Sequence, residues 1–146
     1  MTMTSDKDIA RVLFDTRTIA LLGASDKTQR PSHGVMVFLL QHGYEVFPVN
    51  PELAGQTLLG QKVYASLAEI PVAIDMVDVF RNAVYLPGIV DEAIKVGART
   101  LWTQLDVVND SAAARAESAG MNVVMDRCPA IELPRLRAAG LLGGLR

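Results

Sequence analysis

The sequence predicts an α/β fold, with a mostly parallel five-stranded sheet packed between two layers of helices. Two observations carry this expectation. Short apolar, β-branched runs alternate with stripes of helical period, and Gly or Pro marks most of the junctions between them. The first of these runs, Thr18 to Leu22 (TIALL), has no polar alternation and so reads as a strand covered on both faces. Alternating strands and helices joined by right-handed crossovers give a Rossmann-like three-layer sandwich.

Each element has a local reason. Ser5, followed three residues later by Asp8, caps an amphipathic helix over about 5–15 whose buried stripe is Ile9, Val12 and Leu13. TIALL stops at Gly23. Pro31-Ser32 then opens a helix, with Ser32 as N-cap, Val35, Met36, Leu39 and Leu40 facing inward, and Gly43 at C′. Glu45 to Val49 (EVFPV) is the second strand, ended by Asn50-Pro51, and Thr57 to Leu59 reads as an edge strand among turns. Ile74 to Phe80 is the third strand, interrupted by Asp75 and Asp78, and Ile89, Val90, Ala93 and Ile94 mark a helix ended by Gly97. Thr100 to Leu105 is the fourth strand, Asn109 or Asp110 caps an alanine-rich helix that stops at Gly120, and Val123 to Met125 is the fifth strand. Pro129 opens a last helix through Leu136. Residues 1–146 read as one domain, with its core over about 18–136.

Composition bounds the function. Hydrophobic residues make up 50% of the 146 and charged ones 21%, an ordinary globular balance that buries roughly 70% of the unfolded surface. A net charge of −2 gives no field to attract nucleic acid or an anionic membrane. The longest apolar run, Val35 to Leu40, is too short to span a bilayer, and the first eight residues lack the apolar stretch of a signal peptide. Cys128 is the single cysteine, which excludes a disulfide framework and, with two histidines, a multi-ligand zinc site. A cytoplasmic protein is expected.

In an open α/β sheet a ligand sits beyond the carboxyl ends of the strands. Here those ends read Gly23-Ala24-Ser25, Asn50-Pro51, Phe80-Arg81, Gln104 and Asp126 to Cys128, a set rich in small and polar residues. The first loop, GASDKTQRPS, leads into a helix N-terminus, where free N–H groups and the helix dipole favour a phosphate, with Lys27 and Arg30 adding charge. A dinucleotide fingerprint is missing, because Gly23 and Gly34 stand eleven positions apart and the second strand ends in Asn50 rather than an acid. A P-loop is missing too.

A wider series of motifs carries a resemblance. GAS…RPS, GYEVFPVNP, LLGQKVYASLAEIP, VDVFR, LWTQL and VVMDRCPAIE follow in order from about Thr18 to Leu136. Together they resemble the small stand-alone CoA-binding proteins of the YccU-like family, related to the CoA-binding domain of succinyl-CoA synthetase. The resemblance implies CoA, or an acyl-CoA, laid along the carboxyl edge of the sheet. It implies that Gly23, Ala24 and Ser25 approach the pyrophosphate through backbone N–H groups and that Arg30 and Ser32 meet phosphate oxygens. Asn50 and Pro51 would border the adenine, Lys62 would neutralise a phosphate, Phe80 and Arg81 would flank the nucleotide, and Gln104 would face the pantetheine arm. Two departures stand out. Asp106 replaces the glycine of the family's W-x-Q-x-G pattern, a position where aspartate tolerates left-handed backbone, and Leu133 follows Glu132 where many members have histidine.

No catalytic constellation emerges, so a binding module is expected rather than an enzyme. The alternatives are an enzyme acting on CoA thioesters and a CoA-sensing subunit of a larger complex with an unknown protein partner. Asp75 and Asp78 read as carboxylates on one strand face, with capping or solvation as their commoner role. His33 lies near the phosphate loop, and His42 complements the end of its helix. Trp102 and the methionines fit core packing. Cys128 is a candidate redox thiol, since Arg127 and the following helix N-terminus would lower its pKa.

Overall fold

In a computed structural model of the chain, residues 2–142 are described. Five parallel strands form the main sheet: β1 (Thr18–Leu22), β2 (Glu45–Val49), β5 (Met76–Val79), β6 (Thr100–Thr103) and β7 (Asn122–Val124). Their spatial order is β2-β1-β5-β6-β7. A separate antiparallel ribbon pairs β3 (Thr57–Leu58) with β4 (Gln61–Lys62). The helices are α1 (Asp6–Asp15), α2 (Pro31–Gln41), α3 (Leu86–Val96), α4 (Asp110–Ser118) and α5 (Pro129–Ala138).

The pleat divides the apolar strand residues between two cores. Ile19, Leu21, Met76, Trp102 and Val124 face the side of α1, α2 and α5, with Ile9, Leu13, Met36, Leu39, Leu133 and Leu136. Ala20, Leu22, Val77, Val79, Leu101 and Val123 face the side of α3 and α4, with Leu86, Val90, Ala93 and Ala116. Both faces of β1 are therefore covered, which is why TIALL carries no polar residue beyond Thr18. The Arg135 fork holds both carboxylate oxygens of Asp6 at 2.9 and 3.0 Å, tying α1 to α5 across a half-exposed surface.

Several boundaries move for identifiable reasons. Ser32 is not the cap of α2 but a buried residue of its first turn, and Arg30 holds the cap position with φ −75° and ψ 139°. Pro31 causes the shift: proline favours the first helical position and holds its predecessor in extended backbone. Asp75 stops β5 from starting earlier, because its Oδ2 accepts the N–H groups of Arg17 and Thr18 at 2.9 and 3.2 Å. Asp78 lies within β5 and is fully buried. Asp75 and Asp78 are not a pair on one face: three positions apart, they fall on opposite sides of the pleat. Asn109 caps α4 by accepting from Ala112 N–H at 3.0 Å, and Gly97 ends α3 at φ +75°.

Candidate functional site

Strand order reverses at β1, with β2 on one side and β5 to β7 on the other. At such a switch point the loops leaving adjacent strands diverge and open a crevice. A cleft of 860 Å³ lies there, near the upper end of the roughly 300–1,000 Å³ typical of small-molecule sites. Gly23 makes its floor possible. Its φ is +85°, and a Cβ would collide with the carbonyl oxygen of Phe80, so only glycine lets the first loop pass this close to the end of β5.

Most of the residues singled out from the sequence meet in this cleft: Gly23, Ala24, Ser25, Arg30, Ser32, Asn50, Phe80, Arg81, Gln104 and Cys128. Pro51 lies next door, in a smaller chamber of 260 Å³ that shares Gly23 and Arg81 with the large one. Lys62 lies in neither. The β3–β4 ribbon carries it away, and its Nζ sits 5.3 Å from the centre of the Tyr64 ring. His33 is not in the cleft wall, and His42 ends α2 with Nδ1 2.8 Å from the Phe38 carbonyl.

The groups available to an anion differ in detail from the expectation. Gly23 and Ala24 donate their N–H groups to the Val49 carbonyl at 3.1 and 3.3 Å, so neither is free for a ligand. Among the described residues, the N–H groups of Ser25, Asp26 and Ser32 have no such intramolecular partner. They are the unfilled donors of a loop and a first helical turn, the usual anion-binding groups of this fold. Lys27, Arg30 and Arg81 add positive charge to the lining, alongside the carboxylates of Asp26, Glu52 and Asp106. Arg81, which lines both chambers, stacks on Tyr85 with its guanidinium carbon 4.3 Å from the ring centre. Asn50 holds the loop: Nδ2 donates to the Ala24 carbonyl, and Oδ1 accepts from Glu52 N–H, both at 2.8 Å.

Gln104 and Cys128 form the far end of the cleft. Gln104 Nε2 donates to Asp78 Oδ1 at 2.5 Å, and among the described residues Asp78 Oδ2 has no partner. Burial pushes the Asp78 carboxyl up to about 7, against the opposing pull of the Gln104 hydrogen bond. Sequence reading singled out Asp78 beside Asp75 but placed it at a solvated or capping edge, because nothing in VDVF distinguishes a buried carboxyl from one at an edge. Asp106 adopts φ +68°, left-handed as expected, and its N–H donates to Asp126 Oδ1 at 2.7 Å.

Cys128 is half-buried at the cap of α5, and its thiol is raised rather than lowered. Desolvation is the leading cause, and the charges of Asp78 and Glu132 add to it, while the N–H groups of Ala130 and Ile131 pull the other way. Arg127, expected to favour the thiolate, instead donates to Glu132 Oε1 at 2.9 Å.

The comparison with known proteins agrees with this geometry. Residues 17–134 match the family model described as a CoA binding domain. The chain belongs to the CoA-binding domain family. The uncharacterized protein YneT of Bacillus subtilis is 38% identical over 124 residues, covering 85% of this chain and 90% of YneT. A solved structure of a hypothetical protein from Pyrococcus horikoshii is 40% identical, with a TM-score of 0.87 over 92% of this chain and 93% of that one. Subunit alpha of the ADP-forming acetate–CoA ligase I of Pyrococcus furiosus is 31% identical over 93 residues, 61% of this chain and 20% of that subunit. The similarity thus extends over nearly the whole of YneT and over a small part of the larger ligase subunit.

Proposed function

We propose that this CoA-binding domain holds CoA, or an acyl-CoA, along the carboxyl edge of its sheet and acts as a binding module without catalytic machinery of its own. The observation that carries the reading is the convergence of unfilled donors at Ser25, Asp26 and Ser32 with the Arg30 guanidinium, at the switch point of the sheet. The pyrophosphate meets these groups. The adenine end takes the smaller chamber beside Pro51 and Tyr85, and the pantetheine arm runs through the larger cleft toward Gln104 and Cys128. An unpaired cysteine and a CoA ligand both suit a reducing cytoplasm. Mass spectrometry of protein purified under native conditions tests the proposal: a CoA or acyl-CoA mass is expected to accompany the folded chain and leave on denaturation. No such mass, together with no calorimetric heat on adding CoA, overturns it. Steady turnover of an acyl-CoA by the pure protein would replace the binding module with an enzyme.

A further inference from the structure

Asp78 lies beneath the cleft wall rather than in it, yet it is the hydrogen-bond partner of a residue that does line the cleft. It sits on β5 opposite Leu21 of β1 and Trp102 of β6, facing the core shared by α1, α2 and α5. No charge reaches it from β1, α1 or α2: the core-facing residues there are Leu21, then Ile9, Ala10, Val12 and Leu13, then Ser32, Val35, Met36 and Leu39. From the turn before α5 comes the Cys128 thiol, whose own surroundings include Glu132, held by Arg127 and Arg135 at 2.9 and 2.8 Å. From β6 and its end come the Trp102 indole, which donates to the Arg127 carbonyl, and the uncharged Gln104 amide.

The chemistry of the pair decides what Gln104 shows a ligand. An ionised carboxylate only accepts hydrogen bonds, so it must face the –NH₂ half of the amide. The carbonyl Oε1 is then the half left for the cleft. A neutral carboxyl is both donor and acceptor and satisfies either half, so the orientation is no longer dictated.

We propose that Asp78 is a positioning residue that turns the Gln104 carbonyl toward the cleft, so that the site accepts an N–H from an amide-bearing ligand arm and releases a proton when that arm binds. The proposal rests on the CoA reading, in which the arm is pantetheine with its two amides. It adds selection for the arm independently of the nucleotide. By linkage, a ligand that favours ionised Asp78 must lower its proton affinity, and raising pH must favour that ligand.

The test compares CoA with the methyl β-phosphate ester of its nucleotide fragment, adenosine 3′-phosphate 5′-diphosphate, which keeps every phosphate in the ionisation state it has in CoA and carries no amide arm. Calorimetry in buffers of different ionisation enthalpy counts the protons exchanged. Near pH 7, CoA is expected to release up to about half a proton more than the fragment, and its affinity relative to the fragment to rise roughly 3- to 10-fold between pH 6 and pH 8. In Asp78→Asn the extra proton and the pH trend both vanish, while fragment affinity stays within about twofold. Equal proton counts for CoA and fragment in the wild-type protein overturn the proposal even though both bind, and so does an extra proton that survives in Asp78→Asn. Binding of neither compound defeats the CoA reading instead. The wild-type comparison decides the matter even where the variant fails to fold.

Discussion

At the scale of a single residue, Arg30 is where the proposed binding separates from folding. Its side chain is exposed at the cleft, makes no ion pair among the described residues, and follows a loop whose backbone is held by Asn50 and Val49. A charge-assisted hydrogen bond contributes about 1.5–3 kcal/mol, so Arg30→Ala is expected to weaken CoA binding roughly 10- to 150-fold in calorimetry. Unfolding free energy should change by less than about 0.5 kcal/mol, as at most exposed sites. Unchanged CoA affinity would remove Arg30 from the site. Cys128 makes the complementary case of a group whose position is right and whose reactivity is restrained. It lines the cleft, but desolvation raises its thiol, so little thiolate exists at pH 7. Exchange with CoA disulfide, forming a Cys128–CoA disulfide and releasing one CoA thiolate, should therefore be slow at pH 7 and quicken about tenfold by pH 8. The readout is a dithiothreitol-reversible CoA mass on the Cys128 peptide. A thiol that stays unmodified at both pH values while CoA is bound places Cys128 beyond reach of the CoA sulfur.

The two ends of the strands divide stability from function at the scale of the element. At the amino ends, Asp75 closes β1 onto β5 with two backbone hydrogen bonds, and its own N–H returns one to Thr18 Oγ1 at 2.9 Å. Asp75→Ala leaves those donors unfilled and is expected to cost about 1–3 kcal/mol in a urea melt, with CoA affinity unchanged. A comparable loss of affinity would mean that the two ends are coupled. The strands and most helices were legible because covered strands such as TIALL and EVFPV contrast with stripes such as Ile89, Val90, Ala93 and Ile94, and Gly43 and Gly97 end helices at positive φ. What was not legible depended on distant partners. The pull of Pro31 on Arg30 was local and readable, yet hydroxyl-cap preference pointed to Ser32. Val49 takes the Gly23 and Ala24 N–H groups, and the free donors lie one to three residues onward and in α2. Lys62 stands near the right motif in sequence, but the ribbon β3–β4 points it elsewhere. The burial of Asp78 depends on α5, more than fifty residues away in the chain.

At the scale of the whole molecule, two chambers share Gly23 and Arg81 in their walls at the strand-order reversal. That arrangement suits an extended nucleotide conjugate, and NAD and CoA share an adenosine diphosphate end, so the distinction rests on what surrounds it. A nicotinamide dinucleotide needs a carboxylate at the end of the second strand to take both ribose hydroxyls. Here Asn50 stands at that place, with its amide engaged by Ala24 and its carbonyl by Glu52. The dinucleotide loop also needs three closely spaced glycines, whereas this loop has Gly23 alone at the crossing, and Gly34 lies in α2 with open space around it. Ligand-linked stabilisation should therefore favour CoA. At one hundred times its dissociation constant CoA adds about 2.7 kcal/mol, which for a chain of this size raises Tm by roughly 5–11 °C. NAD and ATP at the same concentration should raise it by less than half as much. A shift with NAD equal to or larger than that with CoA would show that Asn50 and the single glycine do not set the preference, and the cleft would then have to be reassigned to a dinucleotide.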